Sequence, residues 1–269
     1  MQGRLLPKYQ GRYQAHPVGY WQSEFLKAAQ YNLDCIEFIV DANDIEKNPL
    51  LKQSGITEIQ ALQQQTGVMV HTICADYLMD APLHHYDSTI VDRSQQTLLC
   101  LLDACKSLSI TDIVIPCVDQ SSLRDKTVQN RFVKNIVPVL EKAEFANINL
   151  ALETDLAPVC FLSLLQELGS KKITVNYDIG NSAALGYDPL EELECYGLYI
   201  SDVHIKDRLL GGGSIELGYG NAQFDRFFGA LEAISYAGIF IMQAYRDDEG
   251  LVVFKRQLDW IRNKYLQEK

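Results

Sequence analysis

Several things are scarce in this chain of 269 residues. Basic residues number 24 against 35 acidic ones, which leaves a formal charge of −11. Nucleic-acid binding needs concentrated positive charge, so this balance argues against a nucleic-acid partner and against an anionic membrane surface. A small anionic substrate stays open, because a few local basic residues override net charge. No apolar run approaches the ~20 residues that span a bilayer. The opening MQGRLLPKYQ is mixed rather than apolar, which points to a cytoplasmic protein. The seven cysteines are odd in number and include no Cys-x-x-Cys pair. They read as reduced thiols buried as small hydrophobes, with Cys74 and Cys117 near strand ends and within reach of a pocket. There is no Pro-, Gly- or Ser-rich linker, no internal repeat and no low-complexity tract. The chain reads as a single domain over residues 1–269, with 47% hydrophobic residues available for its core.

What is there is an alternation of strands and helices. Strand-like segments are 3–6 (GRLL), 35–40 (CIEFIV), 68–71 (VMVH), 112–116 (DIVIP), 149–153 (NLALE), 173–178 (ITVNYD), 199–204 (YISDVH) and 239–243 (IFIMQ). Helical periodicity marks 21–30, where Trp21, Phe25 and Ala28 share a face, and 57–65, with Thr57 as N-cap and Gly67 as stop. Further helices are expected at 88–108, at 123–145 where Pro138 allows a break, and at 158–168, 189–196, 224–237 and 251–266. Eight strands alternating with helices fit a closed (β/α)8 TIM barrel or an open doubly wound sheet. The α/β TIM barrel is favoured by the strand count, by a length near the usual ~250 residues, and by the lack of a Gly-x-Gly-x-x-Gly turn after the first strand.

In a parallel strand covered on both faces, an ionisable side chain sits at the end or is paired. Glu153, Asp178, His204 and Gln243 each end an apolar run, on four successive strands. Neighbouring strands lie ~4.8 Å apart, so four inward-pointing ends can meet on one divalent ion. Two carboxylates, an imidazole and an amide suit Mn2+, Mg2+ or Co2+, and Zn2+ is also admitted. Any one of these residues alone would read as a helix cap or a salt-bridge partner, and Gln243 is the weakest ligand because its amide is neutral.

Lys206, Arg208 and Arg246 follow these strands and are placed to hold a phosphate, a carboxylate or an enediolate oxygen. Their ordinary alternative is solvent, or a salt bridge to Asp202, Asp207, Asp247 or Asp248. Glu37, inside the second strand, and His71, ending the third, are expected to point into the barrel mouth or its core and to contact substrate hydroxyls. His16, after the first strand, is a further candidate for the rim. The glycine-rich loop 208–220 has the composition of a substrate lid.

Segments 151–155 (ALETD), 176–189 (NYDIGNSAALGYDP), 202–208 (DVHIKDR) and 217–225 (LGYGNAQFD) together resemble the xylose-isomerase-like sugar phosphate isomerase/epimerase superfamily. The D-x-G-N element ending at Asn181 and the HIKD element starting at His204 carry most of that likeness. The resemblance implies a TIM barrel and a divalent metal bound by a Glu, an Asp, a His and usually a second Glu. Glu153, Asp178 and His204 take the first three places, and Gln243 stands in the fourth, where the chain departs from the family. Family epimerases use two glutamates as opposed acid and base, and a glutamine cannot move that proton.

The activity expected from this resemblance is metal-dependent sugar or sugar-phosphate isomerisation or epimerisation. The metal would chelate a hydroxy-carbonyl, and the reaction would run through an enediolate or a hydride shift. Glu153 would be the base and Lys206 a proton donor. An epimerase would need another acid, supplied by Asp76, Glu37 or water. The alternatives are a metal-dependent dehydratase or lyase acting on a hydroxylated keto acid, and a non-catalytic sugar-binding barrel. An endonuclease-like enzyme with a histidine-rich zinc centre is disfavoured by five histidines and the negative charge. The expected partner is a small carbohydrate. A homo-oligomer stays open, with Trp260 and Tyr265 as candidate interface aromatics.

Overall fold

Strands β1 (Cys35–Ile39), β2 (Met69–Cys74), β3 (Asp112–Cys117), β4 (Asn149–Thr154), β5 (Ile173–Asp178) and β6 (Ile200–Ile205) pair in parallel and in chain order. A short antiparallel hairpin, β7 (Asp207–Arg208) with β8 (Ser214–Ile215), comes next. Strand β9 (Ile239–Met242) then pairs with β6 and completes a seven-stranded sheet. The computed structural model describes residues 1–3, 5–246 and 250–266.

The sheet curls until β1 and β9 face each other, and the start of the chain fills the seam. The backbone N–H of Gln2 donates to Met242 O at 3.2 Å, and that of Glu37 donates to Met1 O at 2.8 Å. Gln2 thereby forms a parallel bridge with Glu37. The first strand expected at 3–6 is thus a two-residue stretch lying earlier. Gly3 turns away at φ +52°, a left-handed conformation that ends an extended run; Arg4 lies outside the described residues. The result is a TIM barrel.

Helices α1 (Ser23–Gln30), α2 (Gln53–Thr66), α3 (Ser88–Leu108), α4 (Lys126–Ala146), α5 (Pro158–Leu168), α6 (Ile179–Leu185), α7 (Pro189–Tyr196), α8 (Phe224–Ala233) and α9 (Leu251–Tyr265) cover the outside. Their N-termini lie at the carboxyl ends of the strands, so side chains from the strand ends and from the first helical turns share one rim. Gly67 stops α2 in a left-handed conformation, as its sequence position requires. Thr57 is not the cap, because α2 starts four residues earlier and the Thr57 hydroxyl donates back to Gln53 O. Helix α4 runs through Pro138 without a break and is capped by Asp125, which accepts from Val128 N. Helix α8 ends at Ala233 instead of running to 237.

Phe25, Phe132, Phe227 and Phe254 are among the fully buried side chains of the layer between sheet and helices. Trp260 and Tyr265 belong to that packing. The Tyr265 ring stacks on Phe228 at 4.4 Å, and Trp260 meets Phe224 edge-on at 5.3 Å. These aromatics cover α8 within the chain. Cys74 and Cys117 are buried, Cys74 beside Val114 and Ala151. Among the described residues, no helix is long and apolar enough to cross a membrane.

Candidate metal centre

Glu153 near the end of β4, Asp178 at the end of β5 and His204 in β6 each offer a ligand atom, and these atoms all lie within 4.8 Å of one another. The convergence follows from register. Asp178 pairs with His204 across β5 and β6, and Glu153 lies one strand further round on the same inner face. All three are buried, His204 completely. Its Nδ1 lies 3.9 Å from Asp178 Oδ2 and has no hydrogen-bond partner. A buried donor or acceptor without a partner is costly. An unpartnered imidazole nitrogen between two carboxylates is the arrangement that a divalent cation satisfies, so these residues fit such an ion.

The residues around this trio explain the D-x-G-N element. Asp178 caps α6, its Oδ1 accepting from Asn181 N at 2.8 Å, so only Oδ2 faces inward. A Cβ on Gly180 would come 2.7 Å from Lys206 Cγ, so glycine lets the lysine lie across the first turn of α6. Lys206 Nζ then donates to Asp178 Oδ2 at 3.3 Å. Asn181 reaches back and donates from Nδ2 to Glu153 Oε1 at 2.5 Å. Its own Oδ1 accepts from Arg208 Nη1 at 2.8 Å. One helical turn thus orients a carboxylate on each of two strands. Helix α6 and Asn181 were missed in the sequence reading, although the motif containing both was recognised.

Burial, then the neighbouring Asp178 carboxylate, push the Glu153 pKa up to about 7. Burial opposes a charge on His204, but Glu37, Asp202 and Glu153 outweigh it and raise its pKa to about 10. Glu37 shows the reverse balance, since burial favours its neutral form but His204 and the Thr72 hydroxyl bring its pKa below the usual value. Asp202 is pushed well above the carboxylate range by burial and by Glu37. It accepts from Asn176 Nδ2 at 3.2 Å.

Gln243 follows β9. Its Nε2 donates to Gln2 Oε1 at 2.5 Å, and its buried Oε1 has no partner. The amide is thus oriented by the first residues of the chain, with its side-chain oxygen left without a partner.

The remaining expected site residues fall in different places. Glu37 does point inward, but it is 3% exposed and lies beneath His204 rather than at the mouth. His71 corrects the sequence reading. The strand continues to Cys74, so His71 does not end it. Thr72 is the inward residue, donating to Glu37 Oε2 at 2.8 Å. His71 lies at a bulge in β2 opposite Ile36 and Glu37, three residues short of the strand end, and lines a cavity with Met1, Asp34 and Phe240. His16 is buried against Phe38 and Trp21 instead of lining the rim.

Arg208 is held within the chain, donating to Asn181 and, from Nε and Nη2, to Gly212 O. Arg246 donates to Leu6 O at 2.7 Å and lies over the Tyr13 ring at 4.4 Å. Asp247 and Asp248 lie outside the described residues. The loop after β6 is clamped. Asp207 accepts from the backbone N–H groups of Gly218, Gly220 and Ala222 at 2.9–3.0 Å.

Comparison with known proteins agrees with this architecture. The sequence model of the xylose isomerase-like TIM barrel family matches residues 25–264. The chain belongs to that family. The L-ribulose-5-phosphate 3-epimerase UlaE of Escherichia coli (strain SMS-3-5 / SECEC) is 23% identical over 254 residues, covering 90% of this chain and 89% of the relative. Among solved structures, the apo 3-keto-D-glucoside 4-epimerase YcjR from E. coli superposes with a TM-score of 0.74 at 17% identity, over 90% of this chain and 94% of that one. The IolI protein, solved with a bound zinc atom, also gives 0.74, at 15% identity over 92% and 94%. At these identities the two structures speak for the fold.

Proposed function

We propose that this chain is a divalent-metal-dependent isomerase or epimerase of a small sugar or sugar phosphate, working as one cytoplasmic domain. The observation that carries the reading is the meeting of Glu153, Asp178 and His204 within 4.8 Å at the carboxyl end of a barrel. The epimerase names of its relatives support the same class. Glu153, Asp178 and His204 would hold the ion, with Gln243 Oε1 as a neutral fourth donor. When bound there, a divalent ion polarises a carbonyl and the hydroxyl beside it. Mn2+, Mg2+ and Co2+ suit this mixed set, and zinc in IolI is a precedent within the fold.

Glu153 is the proposed base. Burial pushes this carboxyl toward its neutral form, and a divalent ion beside it would favour the ionised form, a base able to take a proton from carbon and return it. Asn181 fixes the carboxylate so that one oxygen is held and the other is free. Lys206 Nζ brings a positive charge to the same rim, suited to a developing enediolate oxygen or to returning a proton. Gln243 can orient a substrate or donate a lone pair but cannot exchange a proton at neutral pH. That favours chemistry by one base on one face, as in an aldose–ketose isomerisation.

The test is a screen of keto- and aldo-sugars, free and phosphorylated, in deuterium oxide with Mn2+. The reading predicts metal-dependent exchange at the carbon next to the carbonyl. Turnover without exchange would move the mechanism to a hydride shift. No turnover of any sugar, with turnover of a hydroxylated keto acid, would replace the reading by a dehydratase.

A further inference from the structure

His204 presents its two nitrogens to two different groups of carboxylates. Nδ1 faces Asp178 at 3.9 Å. Nε2 points down the barrel, 3.0 Å from Glu37 Oε1 and 3.9 Å from Asp202 Oδ2, close contacts in which neither Nε2 nor Glu37 Oε1 makes a directed hydrogen bond. Glu37 is the nearer of the two and the more firmly held. Its other oxygen takes the Thr72 hydroxyl at 2.8 Å. Its backbone is fixed on one side by the start of the chain and on the other by β2. Asp202 is occupied with Asn176. None of these partners reaches solvent, since Glu37 is 3% exposed and Thr72, Asp202 and His204 are fully buried.

We propose that Glu37, braced by Thr72, is a positioning residue for the metal centre. It holds the Nε2 proton of His204, so that Nδ1, turned toward Glu153 and Asp178, is the nitrogen left to ligate when an ion displaces its proton. The inference rests on the metal-centre reading above and adds to it a residue that touches neither metal nor substrate. A neutral imidazole carries one proton, and the partner of one nitrogen decides which nitrogen is left to ligate. A carboxylate behind a ligating histidine also raises its basicity and holds its plane, and losing such a partner typically costs roughly 10- to 100-fold in metal affinity. The pair explains why a glutamate interrupts the otherwise apolar β1, well below the rim. The group formed by Glu37, Asp202 and His204 could instead hold a second ion, which would require Nε2 to be bare.

The experiment titrates the whole protein with Zn2+ and with Mn2+ by calorimetry, for wild type, Glu37→Leu, Glu37→Gln and Thr72→Val. Alongside it, 15N spectra of the imidazoles are recorded in the Zn2+-loaded wild type. The proposal predicts one ion per chain and a metal-bound Nδ1 with a protonated Nε2 on His204. It predicts a loss of roughly 10- to 100-fold in affinity for Glu37→Leu. Glu37→Gln, which keeps an acceptor oxygen, should recover most of that loss, and Thr72→Val should fall between. A metal-bound Nε2 overturns the proposal without needing any variant to fold. So does a folded Glu37→Leu with wild-type affinity, or a second ion lost in Glu37→Leu. A wild type that takes up neither ion removes the metal reading itself, and this proposal with it.

Discussion

Asn181 Nδ2 donates to Glu153 Oε1 at 2.5 Å, joining the first turn of α6 to the end of the neighbouring strand. A hydrogen bond to a charged group is worth about 1.5–3 kcal/mol. Asn181→Ala should therefore lower kcat by roughly 10- to 100-fold while the barrel stays folded, provided the freed carboxylate samples unproductive positions. Asn181→Asp should be worse, since it adds a like charge beside Glu153. Turnover measured beside circular dichroism checks both, and an Asn181→Ala enzyme with wild-type kcat would remove the residue from the site.

Glu153→Gln should abolish turnover with the fold intact. The amide keeps the shape of the side chain, and Asn181 can still donate to its oxygen, but the group can no longer accept a proton from carbon. Retained turnover would exclude Glu153 as the base.

Gly220 has no space for a side chain, because a Cβ there would lie 2.1 Å from Asp207 Oδ1 and 2.6 Å from Arg208 O. Gly220→Ala must break the three-donor clamp on Asp207. We expect a loss of about 1–3 kcal/mol in stability and faster proteolysis within residues 208–222. Thermal unfolding and limited proteolysis measure this. An unaltered cleavage pattern would mean that Asp207 does not hold the loop.

Much of this site is legible in the chain, and the rest is hidden for definite reasons. Glu153, Asp178 and His204 stand out because a charge interrupting or ending an apolar run must have a purpose, and parallel strands place such ends on one rim. The barrel itself follows from the alternation of strands and helices. Asn181 was hidden because a helix of seven residues such as α6 is too short to show a helical period. His71 was misplaced by a strand end set three residues short of Cys74. The first strand was misplaced because two residues, Met1 and Gln2, close the seam, too few to leave a pattern. Thr72, Asn176 and Asp202 left a fainter signal, as polar residues inside otherwise apolar strands.

Glu24, in the first turn of α1, is buried with Oε1 unpartnered, and burial raises its pKa from 4.5 to about 7. The folded protein therefore keeps a proton that the unfolded chain releases. Stability from this group is full below pH 4.5 and is lost as pH rises to about 7, by on the order of 3 kcal/mol. Glu24→Gln should remove that slope. Urea unfolding of both proteins from pH 4.5 to 8 gives the difference directly, and parallel curves would mean that Glu24 is solvated or paired.

The centre itself is tested most directly by counting metal. Wild type and the variants Asp178→Ala, His204→Ala and Gln243→Glu are dialysed against Mn2+, and the bound ion is quantified together with its dissociation constant. The account predicts one ion per wild-type chain. It predicts no stoichiometric binding in Asp178→Ala or His204→Ala, and tighter binding in Gln243→Glu, where a carboxylate replaces the neutral amide oxygen. Binding that survives unchanged in both folded alanine variants would contradict it.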